Sequence, residues 1–341
     1  MNAAPLPHRR ALLAAGLAAP FAGLHAQPAA AAVQDGEWLD ARDAREAGGA
    51  HDAPTGPRRI PWRVRWPDGS GPCALVLFSH GLGGSREGAD AWGEAWRAAG
   101  LAVLHLQHPG SDAEVLRGGM SVLRAAASAA QLIARVRDMR FAMDDLARRA
   151  AAGDAPWARV RAEAIGVAGH SFGAHTVQAL AGQRYRVAAD FADARPRGFI
   201  AFSPSPGRGA GALSSAEAFG AIARPFLAVT GSLDGDPLGG HADGAPRVTV
   251  YQSLPPGQRA LLWLEGADHM TFAGNAERRI RGGAFWRRER VAEQNEAAHH
   301  ALVAHSTALW WRAHLLGNAQ ARRALASTLP GMAARDRFET G

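Results

Sequence analysis

The chain has 341 residues, 47% of them hydrophobic and 20% charged, with a formal net charge of +7. That size and balance suit one large domain or two small ones. The 40 glycines and 20 prolines follow no collagen-like or solenoid period. The single cysteine, Cys73, excludes an intramolecular disulfide, and the positive charge rests on arginines scattered along the chain, which read as a solvated basic surface rather than a nucleic-acid stripe.

The N-terminus has the order of an export signal. His8-Arg9-Arg10 is followed by an apolar stretch over 11–24 and small residues up to Ala26. The stretch is shorter than the ~20 apolar residues a membrane span requires. The adjacent arginines point to the twin-arginine route. Residues 1–26 are therefore expected to be a leader, and a secreted or periplasmic location follows. Residues 27–58 are rich in Ala, Gly, Pro and Asp without periodicity and are expected to be a partly disordered linker. The catalytic domain is expected over 59–341.

From residue 59 short apolar runs alternate with amphipathic stretches. The runs 74–78, 102–106, 165–168, 199–202, 226–229 and 261–264 are almost continuously apolar. Strands covered on both faces have that character. Between them, Leu132, Val136, Met139, Met143 and Leu146 recur at helical spacing, and Leu302, Leu309, Ala313 and Leu316 do so near the end, with Gly317 as a stop. The alternation predicts an α/β fold with a mainly parallel central sheet covered by helices, and places chemistry at the carboxyl ends of the strands.

The strand at 165–168 runs into Gly169-His170-Ser171-Phe172-Gly173 and then a helical stretch. G-x-S-x-G between strand and helix marks a nucleophilic serine on a strained turn, with small residues on either side to make room for it. A serine needs an imidazole base, and the imidazole needs a carboxylate, in the chain order Ser, acid, His. The strand at 226–229 leads to Asp234, with Asp236 as the alternative acid before Pro237. The strand at 261–264 leads to His269, against which His241 is the competitor. Ser171, Asp234 and His269 are the candidate catalytic residues. The turn Ser79-His80-Gly81-Leu82-Gly83-Gly84 places Leu82 to offer one oxyanion N–H, and Phe172 offers the other. Leu82, Phe172, Met270 and Leu238 are expected to line the substrate pocket. The arginine-rich stretch 271–296 is read as a solvated loop, with a flap selecting acidic substrates as the other possibility.

Several stretches together resemble bacterial dienelactone-hydrolase-like proteins, relatives of the platelet-activating-factor acetylhydrolases. They are Phe78-Ser79-His80-Gly81-Leu82-Gly83-Gly84-Ser85-Arg86, Gln107-His108-Pro109-Gly110-Ser111-Asp112, Arg137-Asp138-Met139-Arg140-Phe141, the serine pentapeptide, and Gly266-Ala267-Asp268-His269-Met270-Thr271-Phe272. The similarity spans roughly residues 59–320. It implies an α/β-hydrolase fold, a serine esterase acting on short to medium acyl esters, and the same site residues. True dienelactone hydrolases use cysteine as nucleophile, so their substrate is not implied. The expected partners are a small-molecule or polymeric ester, with no nucleic acid, no membrane span and no metal or organic cofactor. Lipase, thioesterase, amidase or polyester hydrolase activity on the same fold is one alternative. An exported binding protein that keeps the fold without catalysis is another.

Overall fold

The structure is a computed structural model, and it describes residues 32–43, 56–186, 190–206, 212–275 and 288–341, together with Met1. The expected leader, apart from Met1, and residues 276–287 of the arginine-rich stretch lie outside the described residues.

Among the described residues the strands are β1 (Val33–Asp43), β2 (Pro57–Arg65), β3 (Cys73–Ser79), β4 (Ala102–Leu106), β5 (Val160–His170), β6 (Pro196–Phe202), β7 (Phe226–Leu233), β8 (Arg259–Asp268) and β9 (Arg337–Thr340). The helices are α1 (Asp90–Ala98), α2 (Gly119–Ala126), α3 (Ala129–Ala151), α4 (Phe172–Ala181), α5 (Ser215–Phe219), α6 (Ala245–Ser253), α7 (Arg290–His314) and α8 (Ala319–Leu325). All strands join one sheet in the order β1-β2-β4-β3-β5-β6-β7-β8-β9. From β4 to β8 the pairing is parallel, while β1, β2 and β9 pair antiparallel at the margins.

Each of the six apolar runs lies inside a strand of the parallel region. Alternation decides which face each residue covers. In β3, Leu75 and Leu77 join one core layer with α3, α4 and α6, while Ala74, Val76 and Phe78 join the other with α1, α7 and α8. β5 is short of side-chain volume at Gly166, and a Cβ there would meet the Trp311 ring of α7 at 2.6 Å. The missing methyl lets α7 lie close on the sheet.

Two expectations are corrected. Part of the expected linker is a strand: β1 pairs along β2 from Val33↔Arg65 to Asp43↔Pro57. It is an edge strand with one face in water, so it reads polar and hides its buried face. Trp38 carries that face, its ring tilted against those of Trp62 and Trp157 at centroid distances of 5.5 and 6.0 Å. The apolar stripe of α7 also stops earlier than expected. The helix ends at His314, Gly317 turns the chain at φ +64°, and Leu316 is exposed.

Sheet order positions the site. From β3 the chain steps to β4 on one side and then to β5 on the other. The carboxyl ends of β3 and β5 therefore border the point where the winding reverses, the place where open α/β sheets leave a crevice. No helix among the described residues is long and apolar enough to cross a membrane.

Candidate active site

β5 ends at His170 and α4 begins at Phe172, so Ser171 is the whole of the turn between them. It takes φ 55° and ψ −116°, a region that side-chain-bearing residues rarely occupy and that stores strain. The glycines two positions away explain how the turn fits. A Cβ on Gly169 would stand 2.5 Å from the Gly173 carbonyl oxygen, and one on Gly173 would stand 1.9 Å from the Ser79 oxygen.

Three strand ends then meet. Ser171 Oγ lies 2.9 Å from His269 Nε2, just past β8. His269 Nδ1 lies 2.8 Å from Asp234 Oδ1, just past β7. The partners assign the tautomer: Nδ1–H donates to the carboxylate, leaving Nε2 to accept the serine proton. The second carboxylate oxygen accepts from Thr230 Oγ at 2.8 Å. Asp236, the alternative acid, instead accepts the Leu238 N–H at 2.8 Å and caps its own turn. His241 lies in the same loop, where its Nδ1 bonds the Asp243 carbonyl.

A buried guanidinium stands behind this chain. Arg247, from α6, donates Nε to the Asp234 carbonyl at 2.8 Å and lies 3.0 Å from its Oδ1. Its other nitrogens bond the carbonyls of Ser203, Pro204 and Gly235, and Nη2 comes to 3.3 Å from His269 Nδ1. Burial alone would raise the Asp234 carboxyl, but Arg247 and His269 outweigh it and hold it at about 2. His269 is lowered by burial and by Arg247, against the pull of Asp234. Both shifts suit a carboxylate beside a neutral imidazole at neutral pH. Nothing local in the sequence marks Arg247 or Ser203. Thr230, within β7 and four residues before Asp234, carries a faint positional signal.

His170 does not reach the serine. Burial pulls its ring down to about 3, so it is neutral, and Nε2 bonds the His269 carbonyl at 3.0 Å. Asp268 accepts from Thr271 N–H at 2.8 Å and from Thr271 Oγ at 2.9 Å, which sets the turn after the imidazole.

The Gly-rich turn after β3 runs alongside the serine: a Cβ on Gly81 would lie 3.4 Å from Ser171 Cβ. Among the described residues the N–H groups of Leu82 and Phe172 donate to no protein acceptor. Two cavities open at Ser171 and His269. One of about 510 Å³ is lined by Leu82, Phe172, Tyr185, Leu213 and Leu238. The other, about 70 Å³, is lined by Leu82, Leu116 and Met270. The four pocket residues expected from sequence are thus divided between them.

No family model matches the chain, and no curated protein matches it. Among solved structures it is similar to a ferulic acid esterase from Streptomyces cinnamoneus, with a TM-score of 0.56 and 21% identity over 86% of this chain and 93% of that one. With the sheet order above, that likeness shows the α/β-hydrolase fold.

Proposed function

We propose that the protein is a serine esterase that works through an acyl-enzyme, with Ser171 as nucleophile, His269 as base and Asp234 as the orienting acid. The observation that carries this reading is the unbroken chain Ser171 Oγ–His269–Asp234, with links of 2.9 and 2.8 Å, opening on a cavity large enough for a small-molecule ester. Ser171 attacks the carbonyl carbon while Nε2 of His269 takes its proton. The tetrahedral oxyanion sits between the N–H groups of Leu82 and Phe172. The imidazolium then gives its proton to the departing alkoxide, and water repeats the sequence on the acyl-enzyme.

The wall of Phe172, Tyr185, Leu82 and Leu213 suits an ester with a flat, apolar part. The fold neighbour is named for ferulic acid, which puts aromatic-acid esters beside short acyl esters in the first substrate panel. The resemblance to the acetylhydrolase-related group and the leader expected at 1–26 extend the reading to an exported enzyme of that group.

Purified protein is expected to hydrolyse p-nitrophenyl esters, and Ser171→Ala to reduce kcat by on the order of 10⁴-fold or more. Equal rates for the two proteins would remove the assignment.

A further inference from the structure

Two of the motifs singled out by resemblance, 107–112 and 137–141, lie outside the reacting groups, yet they meet beneath the Gly-rich turn. His108 Nδ1 lies 3.0 Å from Asp138 Oδ2, and its Nε2 lies 3.0 Å from Ser79 Oγ. Asp138 is clamped by Arg58 through Nε at 2.7 Å and Nη2 at 2.9 Å. These are the residue types of the reactive chain, but Ser79, His108 and Asp138 are all fully buried. No substrate reaches them, so their role is in what they hold.

Arg135 of α3 connects this cluster to the site. It too is fully buried. It donates Nη1 to the His80 carbonyl at 2.6 Å and Nε to Ser111 Oγ at 2.8 Å. Its Nη2 lies 3.4 Å from the Gly81 carbonyl and 3.3 Å from that of Ser111. The Gly81 carbonyl also accepts Nδ1–H of His80 at 2.7 Å, while His80 Nε2 accepts the His108 N–H at 3.0 Å. The Gly81 carbonyl and the Leu82 N–H belong to one planar trans peptide and point in opposite directions. Whatever pins that carbonyl aims that N–H. The same guanidinium carbon sits 4.5 Å from the centre of the Phe172 ring, so it also bears on the residue that carries the second N–H.

We propose that Arg135 is a positioning residue that holds the Leu82 and Phe172 N–H groups on the oxyanion. The inference rests on the serine-esterase reading above. Burial pulls its guanidinium down to about 9, against the attraction of Asp138 and Asp112, so it remains charged at neutral pH. A fixed donor costs no rearrangement when charge develops on the substrate.

The experiment uses the full chain with p-nitrophenyl acetate and a trifluoromethyl ketone that forms a tetrahedral adduct on the serine. Arg135→Met is expected to lower kcat ~10²-fold, the size of losing one oxyanion donor, with little change in KM. Affinity for the ketone falls in parallel, while affinity for the product carboxylate stays. Arg135→Lys recovers part of the loss. A purely structural role would lower the melting temperature and leave kcat per folded molecule, and ketone affinity, near wild type; that result overturns the proposal. If Arg135→Met does not fold, Arg135→Lys decides: it keeps the charge but not the planar fork, and is expected to lower kcat and ketone affinity together by ~3- to 10-fold with affinity for the product carboxylate unchanged. Wild-type kcat and ketone affinity in Arg135→Lys count against the proposal. If Ser171→Ala also retains activity, the esterase reading itself has failed; if Ser171→Ala is dead, only the role of Arg135 has.

Discussion

Arg247 places a positive charge beside an imidazole that must be neutral to accept a proton. Its contacts with Asp234 keep the acid ionised, and its field opposes protonation of His269. In this account kcat/KM falls on the acid side as His269 takes a proton, with an apparent pKa below the usual 6.5. Arg247→Met removes a cation, so the acid limb is expected to move to higher pH. The same change leaves the fully buried Asp234 carboxylate with fewer partners, at a cost of ~3–5 kcal/mol in stability. Measuring the pH–rate profile of both proteins checks the sign; a limb that stays put or moves down contradicts the role given to Arg247.

At the scale of elements, what can be read from sequence is what leaves a local mark. The β5–Ser171–α4 turn is legible because its steric demand appears as Gly169 and Gly173 within the same pentapeptide. His269 is legible because it follows a recognisable strand. The proposed acid is legible only to within two residues, since Asp234 and Asp236 both follow β7; in the fold Asp234 Oδ1 lies 2.8 Å from His269 Nδ1, while Asp236 accepts the Leu238 N–H. Arg135 and Arg247 are not legible. Each sits in a helix, where an arginine ordinarily faces water, and the carbonyls that each holds come largely from other segments of the chain. β1 is hidden for the opposite reason. Its exposed residues pair with arginines of the next strand, as Asp35 does with Arg63, so the segment looks like polar linker until Trp38 is seen in the core.

Across the described residues of the molecule, six buried imidazoles are pushed down by that burial: His80, His105, His108 at about 4, His170 at about 3, His269 and His299. In the unfolded chain each takes a proton near 6.5, whereas in the folded chain each resists until a lower pH. The unfolded state therefore binds more protons as pH drops below 6.5, and stability falls with it, by ~1.4 kcal/mol per pH unit for each imidazole. Asp234, held at about 2, has the same sign in a lower window: its contribution is present above its usual range near 3.8 and is lost as pH falls from there toward 2. Thermal midpoints are expected to be flat between pH 7 and 8 and to drop between pH 6.5 and 4, before most carboxylates titrate. A flat midpoint down to pH 4.5 contradicts the neutral, buried state assigned to these rings.

Everything proposed for the site turns on whether Ser171 is an activated hydroxyl. Treating the purified full chain with a fluorophosphonate and mapping the adduct by peptide mass spectrometry measures that without any choice of substrate. The account predicts one covalent adduct, on Ser171, lost on heat denaturation before labelling. An unlabelled protein, or an adduct confined to another serine, contradicts it.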